Sequence, residues 1–246
     1  MKSNMYIFAA MVVIITSCEK TDTSEIGSTG KAGSMAKFSI SGNNLFLINE
    51  KYLKIYDIST AAQPVEINTV EVDYGIETAF SYDSILFIGS SDGVYIYNIS
   101  DPLNILFYSK YEHITSCDPV VASGTLAFAT LNSASACRWQ TGMNELDVID
   151  ISNLVYPHII SSVSMTNPKG LATDSTFVFV CDGEQGVRIF DYSDPYYLNQ
   201  ISGIAGINAY DIILDNNILY LIGSDGLFQY DYSDIYHLEL ISNLLF

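Results

Sequence analysis

Five charged residues, Lys37, Glu77, Asp118, Lys169 and Asp211, are expected at one equivalent place, the start of each innermost strand, when the chain is laid out in repeating units aligned on their second apolar runs. Gathered at one mouth they would form a polar cup of three carboxylate acceptors and two ammonium donors, chemistry that suits a cation, a sugar or a peptide terminus. Three acids and two lysines also pair with one another and lower their own desolvation cost, so a purely structural role stands beside the binding one. Calcium asks for about six oxygens or more, which three carboxylates supply only with help from carbonyls or waters, and no metal is expected. Glu77 with Asp118 or Asp211 is also the kind of carboxylate pair that a glycan hydrolase or lyase uses.

A second group of residues sits in the third unit, which carries an insertion over residues 132–145. Arg138 adjoins Trp139, the chain's only tryptophan, and an Arg–Trp pair on a protruding loop can stack on a sugar or a partner protein. The same tryptophan could instead fold over the unit's edge as a small satellite core. Among the four cysteines, Cys117 and Cys137 are expected to project from one face, and a Cys117–Cys137 disulfide would pin the insertion, a loop closure worth about 3 kcal/mol. Cys181 either competes for Cys137 or remains a buried thiol. Zinc is disfavoured because His113 is the only histidine expected near that group, while His158 and His237 precede outer strands. No nucleophile elbow, helix-borne metal motif or phosphate-cradling glycine loop occurs, so no catalytic residue is assigned and no cofactor is expected.

The elements that must position these residues announce themselves by repetition. Tyr56-Asp57-Ile58-Ser59, Tyr97-Asn98-Ile99-Ser100, Ile149-Asp150-Ile151-Ser152, Phe190-Asp191-Tyr192-Ser193 and Tyr230-Asp231-Tyr232-Ser233 echo one another, with the Asp/Asn positions 41, 52, 41 and 40 residues apart. That period signals a repeat architecture whose units bury their apolar faces against neighbours. In the fourth unit, apolar runs at 170–173, 177–180, 187–192 and 198–204 are separated by Asp182-Gly183 and Asp194-Pro195, turn chemistry that defines four strands. Near-continuous runs such as Ile85-Leu86-Phe87-Ile88 and Leu219-Tyr220-Leu221-Ile222 suit second strands covered on both faces. The expected fold is all-β, a five-bladed β-propeller of four-stranded antiparallel blades beginning near Ala36, Ile76, Cys117, Pro168 and Tyr210. Closure into a ring is expected without exchange of a terminal strand.

Charge and composition narrow the partners. Twenty-eight acidic against 10 basic residues give a formal net charge of −18, which repels phosphate backbones and anionic membrane surfaces and excludes nucleic acid. The 49 % apolar content, with 18 tyrosines and 12 phenylalanines, belongs to a strand-rich folded domain.

The third runs, most clearly Leu146-Asp147-Val148-Ile149-Asp150-Ile151-Ser152 and Val187-Arg188-Ile189-Phe190-Asp191, resemble the LVIVD repeat of bacterial β-propellers. The resemblance extends over residues 36–246 and implies a propeller in a secreted or lipid-anchored protein. It implies little about activity. Units one, two and five place Tyr before the Asp/Asn where the repeat's name has an aliphatic residue.

The N-terminus has Lys2, an apolar run over residues 5–15 and then Ile15-Thr16-Ser17-Cys18, which resembles the lipobox of bacterial lipoproteins. Eleven apolar residues are too short to cross a bilayer as a helix. The resemblance implies a signal peptide over 1–17, lipidation of Cys18, a flexible tether over 18–35 rich in Thr, Ser and Gly, and the propeller over 36–246. The charged residues just after Cys18, Glu19, Lys20, Asp22 and Glu25, loosely resemble the acidic surface-export signals of Bacteroidetes lipoproteins. Together these features lead to an expectation of a bacterial cell-envelope protein, lipid-anchored at the outer membrane and facing the periplasm or the surface, with the membrane touched only through Cys18. It is expected to act as a binding or assembly module for a glycan, peptide or envelope protein; the alternative is a carboxylate-based glycan hydrolase or lyase.

Overall fold

The computed structural model describes residues 33–112, 119–133 and 143–246. Blade 1 comprises β1 (Phe38–Ser41), β2 (Asn44–Asn49), β3 (Tyr52–Asp57) and β4 (Val65–Glu71), and blade 2 comprises β5 (Ile76–Tyr82), β6 (Ile85–Ser90), β7 (Gly93–Asn98) and β8 (Leu106–Glu112). Blade 3 has β9 (Val120–Ser123), β10 (Leu126–Asn132), β11 (Asn144–Asp150) and β12 (His158–Ser164), and blade 4 has β13 (Leu171–Thr173), β14 (Phe177–Cys181), β15 (Val187–Asp191) and β16 (Asn199–Ile204). Blade 5 closes the order with β17 (Ala209–Asp215), β18 (Ile218–Gly223), β19 (Gly226–Asp231) and β20 (Glu239–Leu245). Each blade is a four-stranded antiparallel meander, and the described residues contain no helix. The five sheets follow one another in a ring, the five-bladed β-propeller expected from the repeat.

The fivefold echo now has a physical cause. In every unit the Asp or Asn ending the third strand accepts a hydrogen bond from the backbone N–H of the serine two residues on, at 2.8 Å for Asp57–Ser59, Asn98–Ser100, Asp191–Ser193 and Asp231–Ser233 and 2.7 Å for Asp150–Ser152. This is an Asx turn, which lets the chain leave the strand without stranding an amide. Hydrogen bonds from the serine hold Asp57, Asp150, Asp191 and Asp231 below the ordinary carboxylate range. Each fourth strand also carries a β-bulge against the third at the same position, with Ile67, Tyr108, Ile160, Ile201 and Ile241 the extra residues opposite Ile55/Tyr56, Ile96/Tyr97, Val148/Ile149, Ile189/Phe190 and Gln229/Tyr230.

Packing between blades follows the pleat, since alternate side chains of each sheet face opposite neighbours. Phe46, Ile48, Leu53 and Ile55 of blade 1 pack with Ala79, Leu86, Ile88 and Tyr95 of blade 2. Phe87 and Ile96 meet Val120, Ala127 and Ile149; Phe128 and Val148 meet Leu171, Val178 and Phe190; Phe179 and Ile189 meet Ile212, Leu219 and Leu221. Four seams are therefore filled by apolar clusters. Three carry a polar clasp as well. Asn68 of β4 donates to the carbonyls of Pro102 and Leu103 at 3.2 and 3.0 Å, Ser109 of β8 to that of Leu154 at 2.6 Å and Ser161 of β12 to that of Pro195 at 2.6 Å. In each case an outer strand grips the turn between strands three and four of the next blade.

Candidate functional site

The inner strands β1, β5, β9, β13 and β17 line the axis, and the register decides which side chains share a level. Taking Phe46, Phe87, Phe128, Phe179 and Tyr220 as equivalent, the pairing places Lys37, Thr78, Pro119, Gly170 and Asp211 in one tier. Glu77 and Lys169 lie one residue earlier, in the tier of Ala36 and Tyr210. The expected single ring of charges is thus spread over two levels. The spread is already present in the chain: Lys37 and Asp211 stand nine residues before Phe46 and Tyr220, whereas Glu77 and Lys169 stand ten before Phe87 and Phe179, and one residue along an inner strand is one level of the mouth. Glu77 is half-buried, and Lys37 is exposed while its carbonyl accepts from Ile48 N–H at 2.8 Å. Asp118, Cys117, Cys137, Arg138 and Trp139 lie outside the described residues, as does Cys18, so the proposed disulfide, recognition loop and lipid attachment do too. Cys181 is a free, buried thiol.

Asp211 is the centre of the axial mouth. Its Oδ1 accepts from Ser34 Oγ at 3.2 Å and from Ile212 N–H at 3.0 Å, and the Met35 amide adds a further bond. Ser34 Oγ in turn accepts from Leu171 N–H of blade 4 at 2.8 Å, and the carbonyl of Ala36 accepts from Ala79 N–H of blade 2 at 2.9 Å. Residues 33–36 form a turn, closed by Ala36 N–H to Gly33 O at 3.0 Å, that spans from blade 1 to blades 2, 4 and 5 across the axis. Two glycines admit the carboxylate: a Cβ on Gly33 would lie 2.1 Å from Asp211 Oδ2 and one on Gly170 2.0 Å from Oδ1. Burial pushes the Asp211 pKa up to about 6 against the pull of these hydrogen bonds.

Lys169 caps the same region from the neighbouring level. Its Nζ stands 4.1 Å from the centre of the Tyr210 ring, a cation–π contact, and desolvation lowers its pKa while Cys181 and Glu184 oppose that shift. Beside it, the buried Asp182 carboxylate accepts from Thr166 N–H and Asn167 N–H at 2.9 and 2.7 Å and faces Arg188 at 3.4 Å, which fixes the crossing from blade 3 to blade 4. Ser34, Tyr210 and Asp182 are site residues that the sequence reading missed. Composition assigned Gly33 and Ser34 to the tether, yet both are buried in the mouth; Gly-Ser is as apt for close packing around a carboxylate as for a flexible coil. Chemically the mouth is an acceptor for a main-chain turn, with one carboxylate, the Ala79 and Leu171 amides that the turn engages, and one ring-stacked ammonium. Among the described residues no group of three or more His, Cys, Asp or Glu could hold a metal ion, and His237 pairs instead with Asp234 in an exposed turn.

Comparison with known proteins agrees with this architecture. The family model of the LVIVD repeat matches residues 30–72 and 141–165, which hold blade 1 and the last two strands of blade 3. No curated protein matches the chain. Among solved structures, a functionally unknown protein from Desulfotomaculum acetoxidans superposes with a TM-score of 0.70 at 11 % identity, over 85 % of this chain and 69 % of that one. The computationally designed protein Ika8 gives 0.59 at 14 % identity over 84 % and 60 %, and a hypothetical selenium-binding protein from Sulfolobus tokodaii gives 0.57 at 12 % over 84 % and 60 %. The chain spans 60 to 69 % of the length of these three, and at such identities the likeness concerns the fold alone. The chain is accordingly a five-bladed β-propeller similar in its first and third blades to the LVIVD repeat.

Proposed function

We propose that this propeller is a binding or assembly module of the bacterial cell envelope, tethered through a lipid on Cys18, whose axial mouth holds a peptide segment of a partner. The observation that carries this reading is the turn at residues 33–36. The mouth already seats a short main-chain turn through Asp211, Leu171 N–H and Ala79 N–H, so its geometry suits peptide rather than sugar. The apolar run at residues 5–15 followed by Cys18 supports the tether, and no helix among the described residues is long and apolar enough to cross a membrane.

A carboxylate-based glycan hydrolase or lyase is the second reading, and the observation in its favour is the Asp211 pKa of about 6, the poise of a general acid. Against it, the Asp211 carboxylate is engaged by Ser34, Met35 and Ile212; a partner peptide that replaces the turn at residues 33–36 remakes such bonds from its own backbone, and a sugar does not. Peptide and glycan arrays probed with the full chain, followed by turnover assays on every hit, test the choice. Peptide binding that weakens at least tenfold in Asp211→Ala, with no product formed, is the expected result. A glycan product lost in Glu77→Gln and Asp211→Asn would replace the binding reading by the hydrolytic one.

A further inference from the structure

We propose that blade 5 of one chain docks face to face on blade 1 of a second copy of the same chain, repeating between molecules the seam that joins blades within one. This inference concerns the rim of the ring and is independent of the axial mouth.

Three observations carry it. The first is burial at equivalent positions. Phe38 occupies on blade 1 the place that Leu171 holds on blade 4, yet Phe38 is 45 % exposed and Leu171 0 %. Ile222 occupies on blade 5 the place of Cys181 on blade 4, and the exposures are 40 % and 0 %. The pattern is systematic. Leu45, Leu47 and Tyr56, which point away from the blade 1–blade 2 cluster, and Ile213, Tyr220 and Leu227, which point away from the blade 4–blade 5 cluster, are only half-buried, and β20 is exposed along its whole length. Among the described residues no apolar cluster spans blades 5 and 1.

The second is the clasp. Ser242 stands opposite Gln229 in β20 as Asn68, Ser109 and Ser161 stand opposite Ile55, Ile96 and Val148 in their own blades. Those three reach the turn of the following blade, whereas Ser242 donates to Gln229 Oε1 of its own blade at 3.0 Å. The matching turn on blade 1, closed by Gln63 N–H to Thr60 O at 2.9 Å, presents the carbonyl of Ala61 where blade 4 presents that of Pro195. Donor and acceptor are both present and sit at opposite ends of the chain.

The third is charge. Blade 5 contains Asp211, Asp215, Asp225, Asp231, Asp234 and Glu239 and no lysine or arginine, whereas blade 1 sets Lys37, Lys51 and Lys54 against Glu50, Asp57, Glu66 and Glu71. Blade 5 against blade 5 would bring together two wholly acidic sheets, and blade 5 against blade 1 avoids that repulsion. Such a contact is heterologous, so chains add head to tail until the rotation closes or the assembly extends.

Sedimentation velocity of the full chain with Cys18→Ser, so that no lipid is attached, over a hundredfold range of concentration tests the proposal. Dimers and larger species are expected to grow with concentration. Phe38→Asp and Ile222→Asp, both at exposed positions and checked for parental circular dichroism and melting temperature, are each expected to raise the dissociation constant at least tenfold. Mixing the two variants restores a dimer, because the intact blade 5 of the first meets the intact blade 1 of the second. A chain of single mass at every concentration overturns the proposal. So does association that survives both substitutions, or that is blocked by only one of them.

Discussion

The seam between blades 3 and 4 and the one between blades 5 and 1 are made from the same repeat positions and differ in almost everything that stabilises a propeller. In the former, Phe128, Val148, Leu171, Val178 and Phe190 are fully buried and Ser161 clasps the next turn at 2.6 Å. In the latter no apolar cluster fills the seam among the described residues, and the joint they show is at the axis, through the turn at residues 33–36 on Asp211. Repeat proteins draw their stability from nearest-neighbour interfaces, so a unit lacking one neighbour is held from one side. Blades 5 and 1 are therefore the end units of a series even though they meet around an axis.

The largest effect expected from this contrast comes from truncating equivalent residues on either side of it. Leu171→Ala removes a fully buried side chain and should cost about 2–5 kcal/mol in urea-induced unfolding, whereas Phe38→Ala should cost under about 1 kcal/mol. Equal losses would mean that the fifth seam is packed like the others.

The axial tie gives the next effect, and its sign is fixed by the direction of the shift. Asp211 has the ordinary aspartate pKa of 3.8 when unfolded, and burial pushes it up to about 6 when folded. The folded state thus gains from the protonated acid, a contribution complete below pH about 3.8 and lost as pH rises through about 6, worth roughly 2–3 kcal/mol. Asn at this position still accepts from Ser34 and Ile212 and carries no charge. Asp211→Asn should be more stable than the parent at pH 7, with the advantage vanishing towards pH 4. An advantage that stays constant across that range would contradict the burial of a charge at the joint.

The smallest effect belongs to the clasps. Ser161→Ala leaves the Pro195 carbonyl without its donor and should cost about 1 kcal/mol, while Ser242→Ala, whose partner is on its own exposed blade, should cost close to nothing in the dilute single chain. Matching losses would place Ser242 in a closed seam.

Much of this molecule is legible in its sequence. The Asp-x-Ser echo marks the Asx turn that ends every third strand, and Asp182-Gly183 and Asp194-Pro195 mark turns that the structure contains. Strand order and blade number follow from those signals alone. The mouth was less legible for two reasons. Counted from Phe46 and Phe87, Lys37 and Glu77 differ by one residue, which the charge pattern hides and which changes their level in the mouth, and the burial of Ser34 depends on Asp211, 177 residues away. The open seam is invisible to pattern altogether, because Leu45, Leu47 and Ile222 are as apolar as the residues that bury their counterparts; what differs is the neighbour.

A cysteine placed at Ala61 and another at Ser242, in a chain with Cys18→Ser, Cys117→Ser and Cys137→Ser, reports directly on the fifth seam. Under mild oxidation the two sites should bridge between molecules, giving covalent dimers and larger species on non-reducing gels in proportion to concentration. A single chain cross-linked to itself at high dilution would show that blades 5 and 1 close on one another, and the contrast between the seams would be lost.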